Sequence, residues 1–202
     1  AKAPDEKKKK NYDFMGWSED FDNVTSDLII KPKFEHEYFE FHSETGTITD
    51  YNFDKGGADI VIPSEIAGNR VTKIGKWAFS GTYEDKKITS VKIPNSITKI
   101  SDKAFTSNEL TAIEIPNSIE KIGKEAFSEN KITSAEIPDS VTEIGEKAFF
   151  GNKLTSVKIP SDLKVIEDGT FGANKLTSVK LPSDLNIIDD SAFVGNKLTS
   201  IK

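Results

Sequence analysis

Proline recurs every 22 residues, at Pro94, Pro116, Pro138, Pro160 and Pro182. Two further columns keep the same register: Phe105, Phe127, Phe149, Phe171 and Phe193, and Asn108, Asn130, Asn152, Asn174 and Asn196. Three residue types in one register mean a chain built by repetition. A period of roughly 20–50 residues confines such a chain to a stack of like units.

One unit, from Leu154 to Lys175, reads LTSVKIPSDLKVIEDGTFGANK. Its apolar positions are Leu154, Val157, Ile159, Leu163, Ile166 and Phe171. A period near 22 with this opening lies in the range of roughly 20–29 residues found for leucine-rich repeats. The Leu-Thr-Ser-Val-Lys-Ile stretch alternates near its end, as a half-buried strand does. The proline then ends the strand, because it has no N–H for a ladder. A second apolar pair follows, Ile97 and Ile100 in one copy, and then a tight turn carrying Ala104-Phe105. One unit cannot bury its apolar edge alone, whereas neighbours about 4.8 Å apart bury one another. The phenylalanines are therefore expected to form an internal spine. The asparagines are expected to bond backbone groups of their own and the adjacent coil, satisfying groups that the turn leaves bare.

The run Ile137-Pro138-Asp139-Ser140-Val141-Thr142-Glu143-Ile144-Gly145-Glu146-Lys147-Ala148-Phe149 and its copies from about residue 57 to 202 resemble the BspA-like, or Treponema-type, leucine-rich repeats. Thr170 replaces the alanine in one copy and Leu181 the isoleucine in another. The repeats do not look like the internalin type, which lacks the Ala-Phe turn. The resemblance implies a leucine-rich-repeat solenoid: a β-rich stack with a parallel strand ladder on one side and short turns or 3-10 segments on the other. It also implies a bacterial surface or secreted protein that binds host or neighbour-cell proteins.

The first repeat is irregular, with 31 residues from Pro63 to Pro94; the additions fall in Ser64–Val71 and Ser80–Lys87. Terminal repeats are often atypical. Upstream, Tyr38–His42 and Thr47–Tyr51 flank the loop Ser43-Glu44-Thr45-Gly46, which reads as a β-hairpin. Residues 36–56 are thus expected to cap the N-terminal end of the repeats at 57–202. Residues 1–35 differ in kind. Tyr12-Asp13-Phe14-Met15-Gly16-Trp17, Asn23-Val24-Thr25 and Leu28–Phe34 resemble the second half of a Listeria–Bacteroides (internalin B-type) repeat, a small β-grasp-like module found on exported bacterial proteins. The first half of that module is missing and the chain stops within a repeat strand at Lys202, so it is expected to be a piece of a longer protein.

Composition narrows function mainly by exclusion. The net charge of −6 gives no basic bias toward nucleic acid, and Lys7–Lys10 reads as a solvated tail. There is no cysteine for a disulfide or a thiolate metal site, and no apolar stretch reaches the ~18 residues of a membrane span. His36 and His42, six residues apart, fit no common metal-ligand spacing, and no histidine lies in the repeats to activate a serine. Gly56-Gly57 reads as a turn rather than a phosphate loop. Recurrent acids such as Glu143, Glu146, Glu167 and Asp168 read as solvation of a repeated face. Glu19–Asn23 lacks the spacing and glycine of a calcium loop. Neither an enzyme nor a cofactor is expected.

The strand face is the natural binding surface of a solenoid. Its exposed columns are expected to be Thr89, Thr111, Thr133, Thr155, Thr177 and Thr199; then Ser90, Ala112, Ser134, Ser156 and Ser178; then Lys92, Glu114, Glu136, Lys158, Lys180 and Lys202. Glu114 and Glu136 break an otherwise basic column. Trp77 stands where Lys103, Glu125, Lys147, Gly169 and Ser191 stand elsewhere, with Tyr83 in the nearby insertion. Trp77 is either covered by that insertion or free as an aromatic contact on the rim. Phe150, in the column of Thr106, Ser128 and Gly172, reads as a lone exposed apolar residue. The candidate binding residues are therefore Trp77, Tyr83, Glu114, Glu136, Lys158 and Lys180. The expected partner is an extracellular protein or glycan, host-derived ones included, with no nucleic acid and no membrane insertion. The alternative is a spacer or stalk that presents another domain.

Overall fold

The 22-residue units form successive coils of a β-solenoid, most of them carrying two short strands, and like strands of neighbouring coils pair in parallel where they pair. The structure is a computed structural model. It describes residues 12–17, 32–81 and 86–201, with only the backbone described for 12–17 and 32–35. Tyr83, Lys202, Lys7–Lys10 and the Glu19–Asn23 and Asn23-Val24-Thr25 segments lie outside the described residues.

The first ladder contains Asp59–Val61, Ser90–Lys92, Ser134–Glu136, Ser156–Lys158, Ser178–Val179 and Ser200–Ile201. These are the strands expected before each proline. The second ladder, on the far side of the proline turn, was not legible as strand. It contains Thr47–Tyr51, Lys73–Ile74, Lys99–Ile100, Lys121–Ile122, Glu143–Ile144, Val165–Ile166 and Ile187–Ile188. Short turns were expected there. A two-residue Lys-Ile strand is too brief for alternation to register, yet in-register stacking lets each copy pair with the next, Ile100 beside Ile122 and Ile122 beside Ile144. This ladder is interrupted between Glu143–Ile144 and Val165–Ile166.

Phe39–His42 and Thr47–Tyr51 pair antiparallel, and Thr47-Ile48 then pairs in parallel with Lys73-Ile74. The hairpin thus supplies the first strand of the second ladder and occupies the edge of Lys73–Ile74. A short helix, Phe53–Gly56, follows; the Asn52 side chain accepts from the Asp54 and Lys55 N–H groups at its start. Further upstream, Tyr12–Trp17 pairs antiparallel with Pro32–His36. The first insertion forms a small hairpin, Glu65–Ile66 with Asn69–Arg70, turning through Ala67 (φ 50°) and Gly68 (φ 83°).

The core is a column of repeated side chains. Phe79, Phe105, Phe127, Phe149 and Phe171 are fully buried. Their rings stack from Phe79 to Phe193 with centroids 5.1–5.8 Å apart and planes within 21°. Each burial contributes about 1.5–3 kcal/mol of transfer free energy. At the N-terminal end the stack meets Tyr51 and Phe39 of the hairpin, centroids 5.4 and 6.1 Å from Phe79. Tyr51 is buried, its hydroxyl donates to the Gly57 carbonyl, and burial pushes its pKa up to about 12.

The asparagine column does the expected work. Asn130 Oδ1 accepts from the Leu110 N–H at the start of its own unit (3.1 Å), while Nδ2 donates to the Phe105 carbonyl of the preceding unit and to the Phe127 carbonyl of its own (2.9 and 3.1 Å). Asn108, Asn152, Asn174 and Asn196 repeat the pattern. Each buried amide therefore joins two coils at the turn where ladder bonds stop.

Candidate functional site

The first ladder exposes three columns. The Thr89 column, the Ser90 column and the column of Lys92, Glu114, Glu136, Lys158 and Lys180 face solvent, while Ile60, Ala135 and Val179 point into the core. Alternation forces this split, because successive strand side chains leave opposite faces. Val61, 69% exposed, precedes Lys92 in the charged column.

The charges on this column are unevenly paired. Lys158 lies 3.3 Å from Asp139, and Glu136 is registered directly beside Lys158. The Ser161 N–H, then Lys158, hold the Asp139 carboxyl below its usual range. Among the described residues, Glu114, Glu136, Lys92 and Lys180 have no ion-pair partner within 4 Å. Elsewhere opposite charges on adjacent coils do meet, as Lys121 with Glu143 and Lys124 with Glu146, each at 2.6 Å.

The backbone under the charged column is discontinuous. Ser134–Glu136 pairs with Ser156–Lys158 over three residues. The equivalent segment at Ala112–Glu114 forms no strand, and no pairing joins Ser156–Lys158 to Ser178–Val179. Between Thr111–Ile115 and Thr133–Ile137 one backbone bond remains, from the Thr133 N–H to the Thr111 carbonyl at 3.2 Å. Ala112–Glu114 pairs with neither neighbouring strand, and two of the three interruptions open as shallow depressions. One is bordered by Asn95, Glu114, Asn117, Ser134, Glu136 and Lys158, the other by Asp139, Lys158, Ser161, Lys180 and Ser183.

Trp77 belongs to a different feature. Its column, Trp77, Lys103, Glu125, Lys147, Gly169 and Ser191, sits in the turn before each phenylalanine with φ of 53–64° throughout. Only glycine adopts this left-handed backbone freely. Gly169 in the column was the one sequence sign of it. Trp77 is 42% exposed, so the insertion does not bury it. Lys103 Nζ lies 4.5 Å from its ring centroid and 3.4 Å from a Glu125 carboxylate oxygen, a line of π face, cation and anion along the ridge. At the insertion's root, Lys87 Nζ donates to the Gly81 carbonyl and to the Ser107 carbonyl of the next coil. The structure thus groups Glu114, Glu136, Lys158 and Lys180 on one ladder and sets Trp77 on a separate ridge.

Phe150 corrects the sequence reading. It is half-buried, lying across the next coil where the Cβ that Gly172 lacks would be 2.9 Å from its ring. The column reads Thr106, Ser128, Phe150, Gly172, Val194, so a large residue rests on the neighbour that has no side chain. Among the recurrent acids, Glu167 is partly covered. Desolvation, then Asp189 and Glu146 nearby, raise its pKa. His36 Nδ1 accepts from the Tyr38 N–H (3.1 Å), and His42 is exposed on the hairpin. Among the described residues, no group of three or more His, Cys, Asp or Glu could hold a metal ion, and no helix is long and apolar enough to cross a membrane.

Comparison with known proteins agrees with this architecture. The family model described as the BspA type leucine rich repeat region matches six copies over residues 33–152 and 72–200. The Listeria–Bacteroides module suggested for residues 1–35 is not shown by these comparisons. Curated proteins give no match. Among solved structures, a leucine-rich repeat protein from Bacteroides ovatus is 27% identical with a TM-score of 0.60, covering 90% of this chain and 53% of its own. The pneumococcal vaccine antigen PcpA is 24% identical with a TM-score of 0.62, covering 77% of this chain and 44% of its own. A leucine rich cell surface protein from Faecalibacterium prausnitzii is 22% identical with a TM-score of 0.58, covering 99% of this chain and 55% of its own. The chain spans about half the length of each of these three, and the latter two likenesses are likenesses of fold.

Proposed function

Since the chain belongs to the BspA-type leucine-rich-repeat family, we propose that it is a non-enzymatic protein-interaction module of a bacterial cell-surface or secreted protein, with the first-ladder face as its binding surface. The observation that carries this reading is the pair Glu114 and Glu136. These are adjacent, exposed carboxylates with no cationic partner within 4 Å among the described residues, on a column whose other charges are lysines. Elsewhere some opposite charges on adjacent coils do meet, as Lys121 with Glu143. A partner supplies the missing cations. The surface offers charge and hydrogen bonds rather than the aromatic anchors that dominate many interfaces. Trp77 on its ridge is a second, separate contact available to a large partner. The names of PcpA and of the Faecalibacterium protein, an antigen and a cell surface protein, support an extracellular setting.

The test is binding of the purified protein to extracellular-matrix proteins, mucins and host-cell glycans, alongside Glu114→Lys/Glu136→Lys and Trp77→Ala variants. Saturable binding lost in the charge-reversed variant supports the reading. Binding untouched by that variant moves the site elsewhere. No binding across a broad panel favours a spacer, a role that the uniform threonine and serine columns also suit.

A further inference from the structure

We propose that the first ladder takes an extended, polyproline-type polypeptide segment lying along the solenoid axis, with a basic residue over Glu114 and Glu136 and an acidic residue three positions away over Lys158 and Lys180; this rests on the interaction reading above.

Three observations converge. The column is not simply acidic: two carboxylates are followed by two ammonium groups, so the surface is a dipolar strip. Among the described residues Glu114, Glu136 and Lys180 have no ion-pair partner, and Lys158 shares its charge with Asp139. Lys92, one coil before Glu114, is exposed and unpaired, and sets the edge beyond which a second cation on the partner is disfavoured.

Secondly, the ladder is open on both sides of Ala112–Glu114 and again between Ser156–Lys158 and Ser178–Val179, and is closed where Glu136 registers beside Lys158. Two of the openings fall between like-charged neighbours, which weaken a pair when directly opposite; the third separates Lys92 from Glu114, which are of opposite charge. Repulsion alone does not open a ladder, because Lys73, Lys99 and Lys121 stay paired on the other one. The openings leave main-chain groups of Thr111–Ile115 outside the ladder, with only the Thr111 carbonyl still engaged with the following strand segment. A polyproline-type segment has no internal hydrogen bonds and keeps its own main-chain groups available to meet them.

Thirdly, the spacing selects the conformation. The midpoints of the acidic and basic pairs are two coils apart, about 10 Å at about 4.8 Å per coil. A polyproline II helix rises about 3.1 Å per residue with three residues per turn, so residues i and i+3 share a face about 9.3 Å apart. In a β-strand, i and i+3 point to opposite faces, and i+2 and i+4 fall about 7 and 13 Å away.

The probe is a fluorescein-labelled oligoproline carrying Arg at i and Glu at i+3. Its controls carry Arg and Glu adjacent, or Arg at both positions. Fluorescence anisotropy with the full chain at low salt is expected to show the i,i+3 peptide binding roughly five- to tenfold tighter than either control, as two solvated charge pairs allow. Glu114→Lys/Glu136→Lys removes that advantage. Adding Lys158→Glu/Lys180→Glu restores it, because the reversed strip accepts the same peptide running the other way. Circular dichroism confirms that the surface variants stay folded. Equal binding of the three peptides, no binding, or failure of the fourfold variant to recover binding overturns the proposal. If the extracellular-protein panel still shows Glu114/Glu136-dependent binding, only the axial polyproline geometry falls. If the panel is also blank, the interaction reading falls with it.

Discussion

Removing the amide of Asn152 should cost about 2–4 kcal/mol, and the cost should couple to one neighbour and not another. Asn152 Oδ1 is the acceptor for the Ile132 N–H, at 3.1 Å. Its Nδ2 donates to the Phe127 and Phe149 carbonyls at 2.9 and 3.1 Å. Asn152→Ala leaves the Ile132 N–H without that acceptor in a buried turn, a loss of about 1–3 kcal/mol. The carbonyls fare better, because Phe127 O also accepts from Asn130 and Phe149 O from Asn174. Each loses one of two donors, adding about half a kcal/mol each, the low end of a net hydrogen bond. Asn130→Ala/Asn152→Ala strips Phe127 O of both, so this double variant should exceed the sum of the singles by about 0.5–2 kcal/mol. Asn108 and Asn152 share no carbonyl, as Asn108 serves Phe79 O and Phe105 O, and that pair should be additive. Urea unfolding of the four variants and the wild type gives both cycles, and amide exchange at Ile132 reads the orphaned donor directly. Additivity in the adjacent pair, or equal coupling in both pairs, would refute the shared-carbonyl account.

The remaining expectations are simpler. Phe127→Ala, in the middle of the ring stack, should cost about 3–5 kcal/mol, and Phe193→Ala, half-buried with one stacking neighbour, clearly less, as measured by urea midpoints. Gly172→Ala should destabilise by about 1–3 kcal/mol, since its Cβ meets the Phe150 ring at 2.9 Å; Phe150→Ala in the same molecule should recover most of that loss, and a double-mutant cycle with no coupling would contradict the packing. Glu167 has a raised folded pKa, so its contribution is favourable below the unfolded value and is lost as pH rises through the folded one. Glu167→Gln should therefore raise the unfolding midpoint at pH 7 relative to wild type, with the gain vanishing near about pH 3, where the carboxyl is protonated in both states.

What the sequence disclosed, it disclosed by column, and its failures were failures of column reading. The phenylalanine and asparagine columns were legible because burial at a fixed place in the coil demands one residue type, and both are buried except in the last coil, where Phe193 and Asn196 are partly exposed. The second ladder was not, because two residues per coil carry no alternation and the pairing exists only between coils. The left-handed turn at Trp77 was hidden for a related reason. Lys103, Glu125 and Lys147 bear the strained φ as well, and only Gly169 signals it. Phe150 is half-buried because Gly172, one coil further on, receives its ring; the column shows that glycine but not that the larger neighbour folds over it. The charged column repeats that lesson on the surface. Glu114 and Glu136 look like two exceptions among lysines when read singly. Read with their neighbours at coil spacing they form two like-charged pairs, each over a gap in the ladder, with one matched pair between them. In a solenoid the neighbour that determines a side chain's environment is 22 residues away, so the informative unit is the pair i, i+22, for packing and for recognition alike.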